Sequence, residues 1–222
     1  MARFLGSDPA TLGMRLIGAL SPFAPVLLAL SATAVAVPEP AFAEEAKSRT
    51  AVEQLIRGSG ADVAVAFRTL DAPAGSPARL ELLIQPDAEF HAASTMKVPV
   101  MIELFRQARE GLVHLDEPLE IRNAFTSIVD GSPYALSADD DSDAAIYARA
   151  GQSMTLADLC EPMITVSSNF ATNLLIQRLD PARVQRTVRD LGADGMIVRR
   201  GVEDQKAFDA GLNNSTTARA LM

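Results

Sequence analysis

Three short stretches carry residues whose types and spacing could do chemistry. In Ser94-Thr-Met-Lys97 a hydroxyl and an amine stand three residues apart. On a helix that spacing puts both on one face, about a turn from each other. At a helix start, Ser94 would meet unpaired backbone N–H groups and the positive end of the helix dipole. A hydroxyl is a weak nucleophile until a base takes its proton, and a lysine can be that base once burial lowers its pKa. The same N–H groups could stabilise the oxyanion of a tetrahedral intermediate. With 15 serines and three lysines in 222 residues, chance supplies roughly 0.2 such pairs. An N-capping serine beside a solvated lysine explains the pair equally well.

The second stretch is Ser167-Ser168-Asn169, in a turn between two expected helices. Ser167 could pass a proton between Lys97 and a leaving nitrogen, and Asn169 could hydrogen-bond a substrate amide. Helix capping, at which Ser and Asn excel, is the plainer reading of these three residues alone. The third is Glu203, in Arg199-Arg-Gly-Val-Glu-Asp-Gln-Lys206. A carboxylate on a loop over a cleft can activate water to hydrolyse an acyl-enzyme; a solvated surface acid is the commoner fate of a glutamate.

Other candidates carry less. Asp139, Asp141 and Asp143 imitate the start of a calcium loop, but Ala144 and Ala150 occupy its sixth and twelfth positions, so a solvated acidic loop is expected. His91 and His114 are the only histidines, too few and too isolated for a metal site; His91 is expected to shape the entry to the Ser94 helix. Cys160 is the only cysteine, so no internal disulfide can form, and its apolar neighbours make it a small buried hydrophobe. Met101, Ile102, Leu104 and Phe105 are core candidates.

These residues need elements to hold them. A short helix over 48–57 ends at Gly58-Ser-Gly60. Strands over 62–70 and 79–84, joined through turn chemistry at 71–77, predict a hairpin. A helix runs from Ser94 to Glu110. After a loop-rich 115–143, helices follow at 143–150, 155–165, 169–179 and 181–191. Thr155-x-x-Asp158 forms a capping box, and Asp180-Pro181 opens the last of these helices. A short strand at 196–200, an irregular 201–215 and a helix starting near Thr216 complete the pattern. A two-stranded hairpin is rarely stable alone, and beyond the short 196–200 segment no further strand is evident downstream.

Taken together and in order, the three stretches resemble the class A β-lactamases and related penicillin-interacting serine hydrolases. That set is S-x-x-K, S-D-N, a glutamate on an Ω-shaped loop, and K-T-G on a strand. Ser94 to Lys97 matches the first, and Ser167 to Asn169 the second with Ser168 in place of Asp. Glu203, 36 residues after Ser167, suits the third, and Met163-Ile-Thr-Val-Ser-Ser-Asn-Phe-Ala-Thr-Asn-Leu-Leu175 also looks like the family. The resemblance covers nearly all of residues 48–222. It implies a helical domain packed on an α/β domain of α+β type with an antiparallel sheet, here incomplete. It implies that Ser94 attacks a strained cyclic amide, its N–H giving half of the oxyanion hole. Lys97 would be base or relay, Ser167 would protonate the departing nitrogen, Asn169 would bind substrate, and Glu203 would activate water. No metal or organic cofactor is implied.

Three departures matter. The chain contains no K-T-G, which the resemblance places beyond Met222, so a C-terminally truncated domain is expected. Ala207 stands four past Glu203, where the lactamases usually carry an asparagine that helps hold the hydrolytic water. Asn213-Asn214 closes the loop without an obvious Asp for the usual salt bridge. The alternatives are therefore a penicillin-binding, D-alanyl peptidase-like acyl-transferase that deacylates slowly, and an inactive exported fragment.

Composition bounds the rest. A net charge of −8 argues against nucleic acid, whose phosphates need a basic face. Arg3 and Arg15 precede an uncharged stretch from Leu16 to Pro38, and Ala41-Phe-Ala43 offers small residues to a signal peptidase. Residues 1–43 thus read as a cleaved secretory signal, and Pro22 and Pro25 weigh against an uncleaved anchor helix. The expected product is a secreted or periplasmic monomer without stable membrane insertion. It would act on a small-molecule β-lactam or D-alanyl peptide and comprise residues 44–222: 44–114 with the nucleophile helix, a helical 115–200, and an Ω-type loop at 201–215.

Overall fold

The computed structural model describes residues 39–70 and 79–222. Most of the expected leader and the 71–77 turn lie outside that range. Helix α1 (Glu39–Ser59) starts earlier than the expected 48–57 and stops at Gly58-Ser-Gly60, with Gly60 at φ 68°. The chain continues through β1 (Val65–Arg68), β2 (Glu81–Ile84), β3 (Glu89–His91), a 3-10 turn (Ala93–Met96) and α2 (Lys97–Arg109). Then come β4 (Pro118–Glu120), β5 (Phe125–Thr126), β6 (Pro133–Tyr134), β7 (Ser153–Thr155), α3 (Leu156–Thr165), α4 (Asn169–Leu179) and α5 (Pro181–Asp190). The last elements are α6 (Gln205–Asp209), β8 (Ser215–Thr217) and α7 (Ala218–Leu221).

The expected hairpin forms: β1 and β2 pair antiparallel, Val65 opposite Ile84 and Arg68 opposite Glu81. The expectation that no strand beyond 196–200 follows is corrected. Among the described residues, three more short antiparallel pairs form, β3 with β8, β4 with β7, and β5 with β6, and none joins β1–β2. The sheet is thus incomplete within an α+β fold. The 196–200 strand reduces to a single bridge, Ile197 to Ser215. The irregular 201–215 segment contains α6, and the final helix starts at Ala218 with Thr217 as its cap.

Pro99 explains why Ser94 does not sit in a single long helix. Proline lacks an N–H and its ring crowds the carbonyl four residues back. The Ala93–Met96 segment therefore winds as a 3-10 turn, and the α-helix begins at Lys97. The buried face of α2 carries Lys97, Val100, Leu104 and Gln107. Leu104 is core and Met101 packs partly against it, but Ile102 and Phe105, expected in the core, are 36% and 50% exposed. That face is only partly covered, with Thr187, Asp190 and Leu191 at the end of α5 bordering it.

Helix ends follow their capping residues. Thr155 accepts the Asp158 N–H, Ser168 the Ala171 N–H and Asp180 the Ala182 N–H. Such caps satisfy N–H groups that the helix cannot. The expected 143–150 helix is a 3-10 segment, Ala144–Arg149. Helix α4 is the hub, burying Phe170, Leu174, Leu175 and Leu179 among residues of α2, α3 and α5. Cys160 is buried and free, its thiol pushed up by burial. No described helix is long and apolar enough to cross a membrane.

Candidate active site

The 3-10 turn, the start of α2 and the α3–α4 turn bring Ser94, Lys97, Ser167 and Asn169 into one cluster. Ser94 Oγ lies 2.8 Å from Ser167 Oγ. The Lys97 amine donates to the Ser167 carbonyl at 2.6 Å, to its hydroxyl at 2.9 Å and to Asn169 Oδ1 at 2.9 Å. All three ammonium donors thus have acceptors, and Ser167 stands between Lys97 and Ser94. Lys97 is only 2% exposed. Burial lowers its pKa, while the charges of Asp141 and Glu203 pull the other way.

Glu203 joins through Asn169, whose Nδ2 donates to Glu203 Oε1 at 3.0 Å. A cleft of about 230 Å³ is lined by Ser94, Asn169 and Glu203, with His91, Phe208 and Arg200 around them. All five residues expected to do chemistry therefore converge. Ser168 does not face the cluster; it is fully buried as the α4 cap. Ala207 is buried and turns no polar group toward Glu203.

The loop bearing Glu203 is clamped at its neck by amides. Asn173 of α4 accepts the Val202 N–H at 2.6 Å and donates to the Val202 carbonyl at 2.9 Å. Arg200 donates to Asn213 Oδ1 at 3.0 Å and to the carbonyls of Leu212 and Gly201. Asn214 accepts the N–H groups of Arg199 and Arg200. The closure is therefore neutral at Asn213, in keeping with the absence of an aspartate there.

Backbone strain gathers here. Ala93, Ser167 and Glu203 have φ of 45°, 64° and 62°, in the left-handed region that side chains disfavour. Such residues persist where the surroundings over-determine them.

Sequence reasoning missed Asp141, which was expected on a solvated acidic loop. Its carboxylate accepts the N–H groups of Asn169 and Phe170 and the hydroxyl of Tyr147. It also missed Asn173 and Arg200 as loop clamps. A buried-face asparagine within α4 was the only local signal for Asn173.

A family model described as the beta-lactamase enzyme family matches residues 47–222. A curated beta-lactamase from Rhodobacter capsulatus is 31% identical over 137 residues, 61% of this chain and 42% of that protein. A solved mutant of PBP-A, in an acyl-enzyme complex with penicillin-G, has a TM-score of 0.57 at 25% identity, covering 79% of this chain and 58% of that one. A beta-lactamase from Sphaerobacter thermophilus shares the fold with a TM-score of 0.56 at 24% identity, covering 81% and 58%. The chain spans about half the length of these relatives.

Proposed function

The chain belongs to the beta-lactamase enzyme family, and from that premise we propose that it is a serine hydrolase forming an acyl-enzyme at Ser94 with a β-lactam. The observation that carries this reading is the relay from Ser94 Oγ through Ser167 Oγ to the buried Lys97 amine, with steps of 2.8 and 2.9 Å. In neutral form Lys97 takes the Ser167 proton as Ser167 takes that of Ser94. Ser94 Oγ then bonds to the lactam carbonyl carbon, with negative charge moving to the carbonyl oxygen. As the C–N bond breaks, Ser167 gives its proton to the departing nitrogen and recovers one from the Lys97 ammonium. Glu203 then takes a proton from water as the water oxygen bonds to the ester carbonyl carbon; the bond from that carbon to Ser94 Oγ breaks, and Ser94 Oγ leaves with the proton that Glu203 took up. The leader-like residues 1–43 support export as part of this reading.

The test is covalent labelling. Incubation with a fluorescent penicillin places label on Ser94, and Glu203→Gln makes that label accumulate. A folded sample that takes up no label refutes the acyl-enzyme. Label turning over equally fast in both forms removes Glu203 from the water step.

Ala207 favours a second reading, a penicillin-binding, D-alanyl peptidase-like enzyme. Residue 207 is a buried methyl group on α6, so it supplies no amide to hold water beside Glu203. Label that persists on the unmodified chain, together with cleavage of a D-alanyl-D-alanine peptide, would favour this reading over lactam turnover.

A further inference from the structure

The turn at 167–169 contains no acid, yet it has a carboxylate. Asp141 Oδ1 accepts the Asn169 N–H at 3.0 Å, and its Oδ2 accepts the Phe170 N–H at 2.7 Å and the Tyr147 hydroxyl at 3.0 Å. Ser168 Oγ takes the Ala171 N–H. Asp141 and Ser168 thus divide the first N–H groups of α4, where the dipole favours negative charge. Those N–H groups lie beside the Ser167 carbonyl and the Asn169 side chain, two of the acceptors that hold Lys97.

We propose that Asp141 is a positioning residue, reaching over from another loop to fix Ser167 and Asn169 against Lys97 and to hold the negative charge that the turn's own Ser168 does not supply. The charged and titratable groups around this centre are few. Lys97 comes from α2 and Glu203 from the loop before α6. Tyr147 sits on Asp141 from the 3-10 segment, and Asp140 precedes it on its own loop. Asp141 and Glu203 are the two carboxylates whose fields favour the charged form of the buried amine. Asp141 therefore tunes when Lys97 can accept a proton, while Tyr147 keeps the carboxylate from swinging out to water.

Only the kinetic arm of the test rests on the acyl-enzyme reading. Asp141→Asn keeps size and one acceptor and removes the charge. Competitive acetylation with acetic anhydride across pH, read by mass spectrometry, gives the titration midpoint of Lys97 directly, with Lys47 and Lys206 as internal references. In D141N the Lys97 midpoint falls relative to those references. The rising limb of Ser94 labelling by fluorescent penicillin moves to lower pH by the same amount. Asp141→Glu keeps the charge and restores the midpoint. A residue that only capped α4 would leave both midpoints unmoved in D141N while hydrogen exchange at Asn169 and Phe170 quickened, and that result overturns the proposal. If Ser94 never labels but the Lys97 midpoint moves, the acyl-enzyme reading fails and the positioning role of Asp141 stands.

Discussion

Lys97 and Ser167 are joined twice, the amine donating to the Ser167 carbonyl at 2.6 Å and to its hydroxyl at 2.9 Å. Burial holds the Lys97 pKa below its ordinary 10.5. Between the lowered value and 10.5, the unfolded chain keeps a proton that the folded chain has released. Stability from this group therefore rises with pH across that window, and below it the penalty for a buried ammonium is present in full. Lys97→Met removes the titration. The stability of the unmodified chain relative to the variant, from denaturant midpoints, climbs as pH rises toward 10.5 and flattens beyond it. A flat difference throughout would mean that the amine titrates like a free lysine.

Ala93 stands at φ 45°, immediately before Ser94. A left-handed residue with a Cβ costs about 1–2 kcal/mol, and glycine removes that while losing roughly 0.5–1 kcal/mol of backbone entropy. Ala93→Gly should therefore stabilise by up to about 1 kcal/mol, a melting rise of roughly 2–4 °C. Ala171→Gly, in the buried first turn of α4, moves the other way by about 1 kcal/mol or more. Equal losses at the two positions would show that Ala93 is not strained.

The sequence made the chemistry legible where it is local. Three-residue spacing marked Ser94 with Lys97, and the Thr155 and Asp180 caps marked the starts of α3 and α5. What stayed hidden depends on contacts between distant segments. Asp141 meets the N–H of Asn169 across 28 positions, and no periodicity encodes that meeting. The three-residue strands β3 and β8 pair from far apart in the chain, too short to show alternation. The left-handed backbones of Ser167 and Glu203 carry no glycine to announce them. Ile102 and Phe105 have helical spacing suited to a core, but a stripe does not say whether a neighbour covers it.

Gly201 fits against Asn173 with no room to spare. A Cβ built on it would lie 2.2 Å from Asn173 Oδ1, the atom that accepts the Val202 N–H. Asn173 is 1% exposed and cannot swing into water. Gly201→Ala should break the two hydrogen bonds between the Asn173 side chain and Val202 and destabilise by about 1–3 kcal/mol. Glu203 lies two residues on, so release of label from Ser94 slows more than its uptake. An unchanged melting temperature would contradict the packing at the loop neck.

Arg200 is 6% exposed and donates to three neutral acceptors, the carbonyls of Gly201 and Leu212 and the side chain of Asn213. The nearby carboxylate of Asp204 is engaged by the N–H groups of Ile128 and Ala207. Asn213→Asp places a carboxylate oxygen where Asn213 Oδ1 now sits. A hydrogen bond to a charged partner exceeds a neutral one by about 1 kcal/mol. Desolvation of the new charge opposes it, but only partly, because position 213 is half-buried. The variant should gain about 1 kcal/mol at pH 7, by the same balance. The guanidinium depresses the folded pKa of the new acid. The gain is therefore complete above the unfolded value of about 3.9 and disappears as pH falls through the folded one. Thermal melts of both chains from pH 7 down to about 2 test this. A variant that melts lower at pH 7, or keeps its advantage in acid, would show that the neutral clasp on Arg200 is already the better partner.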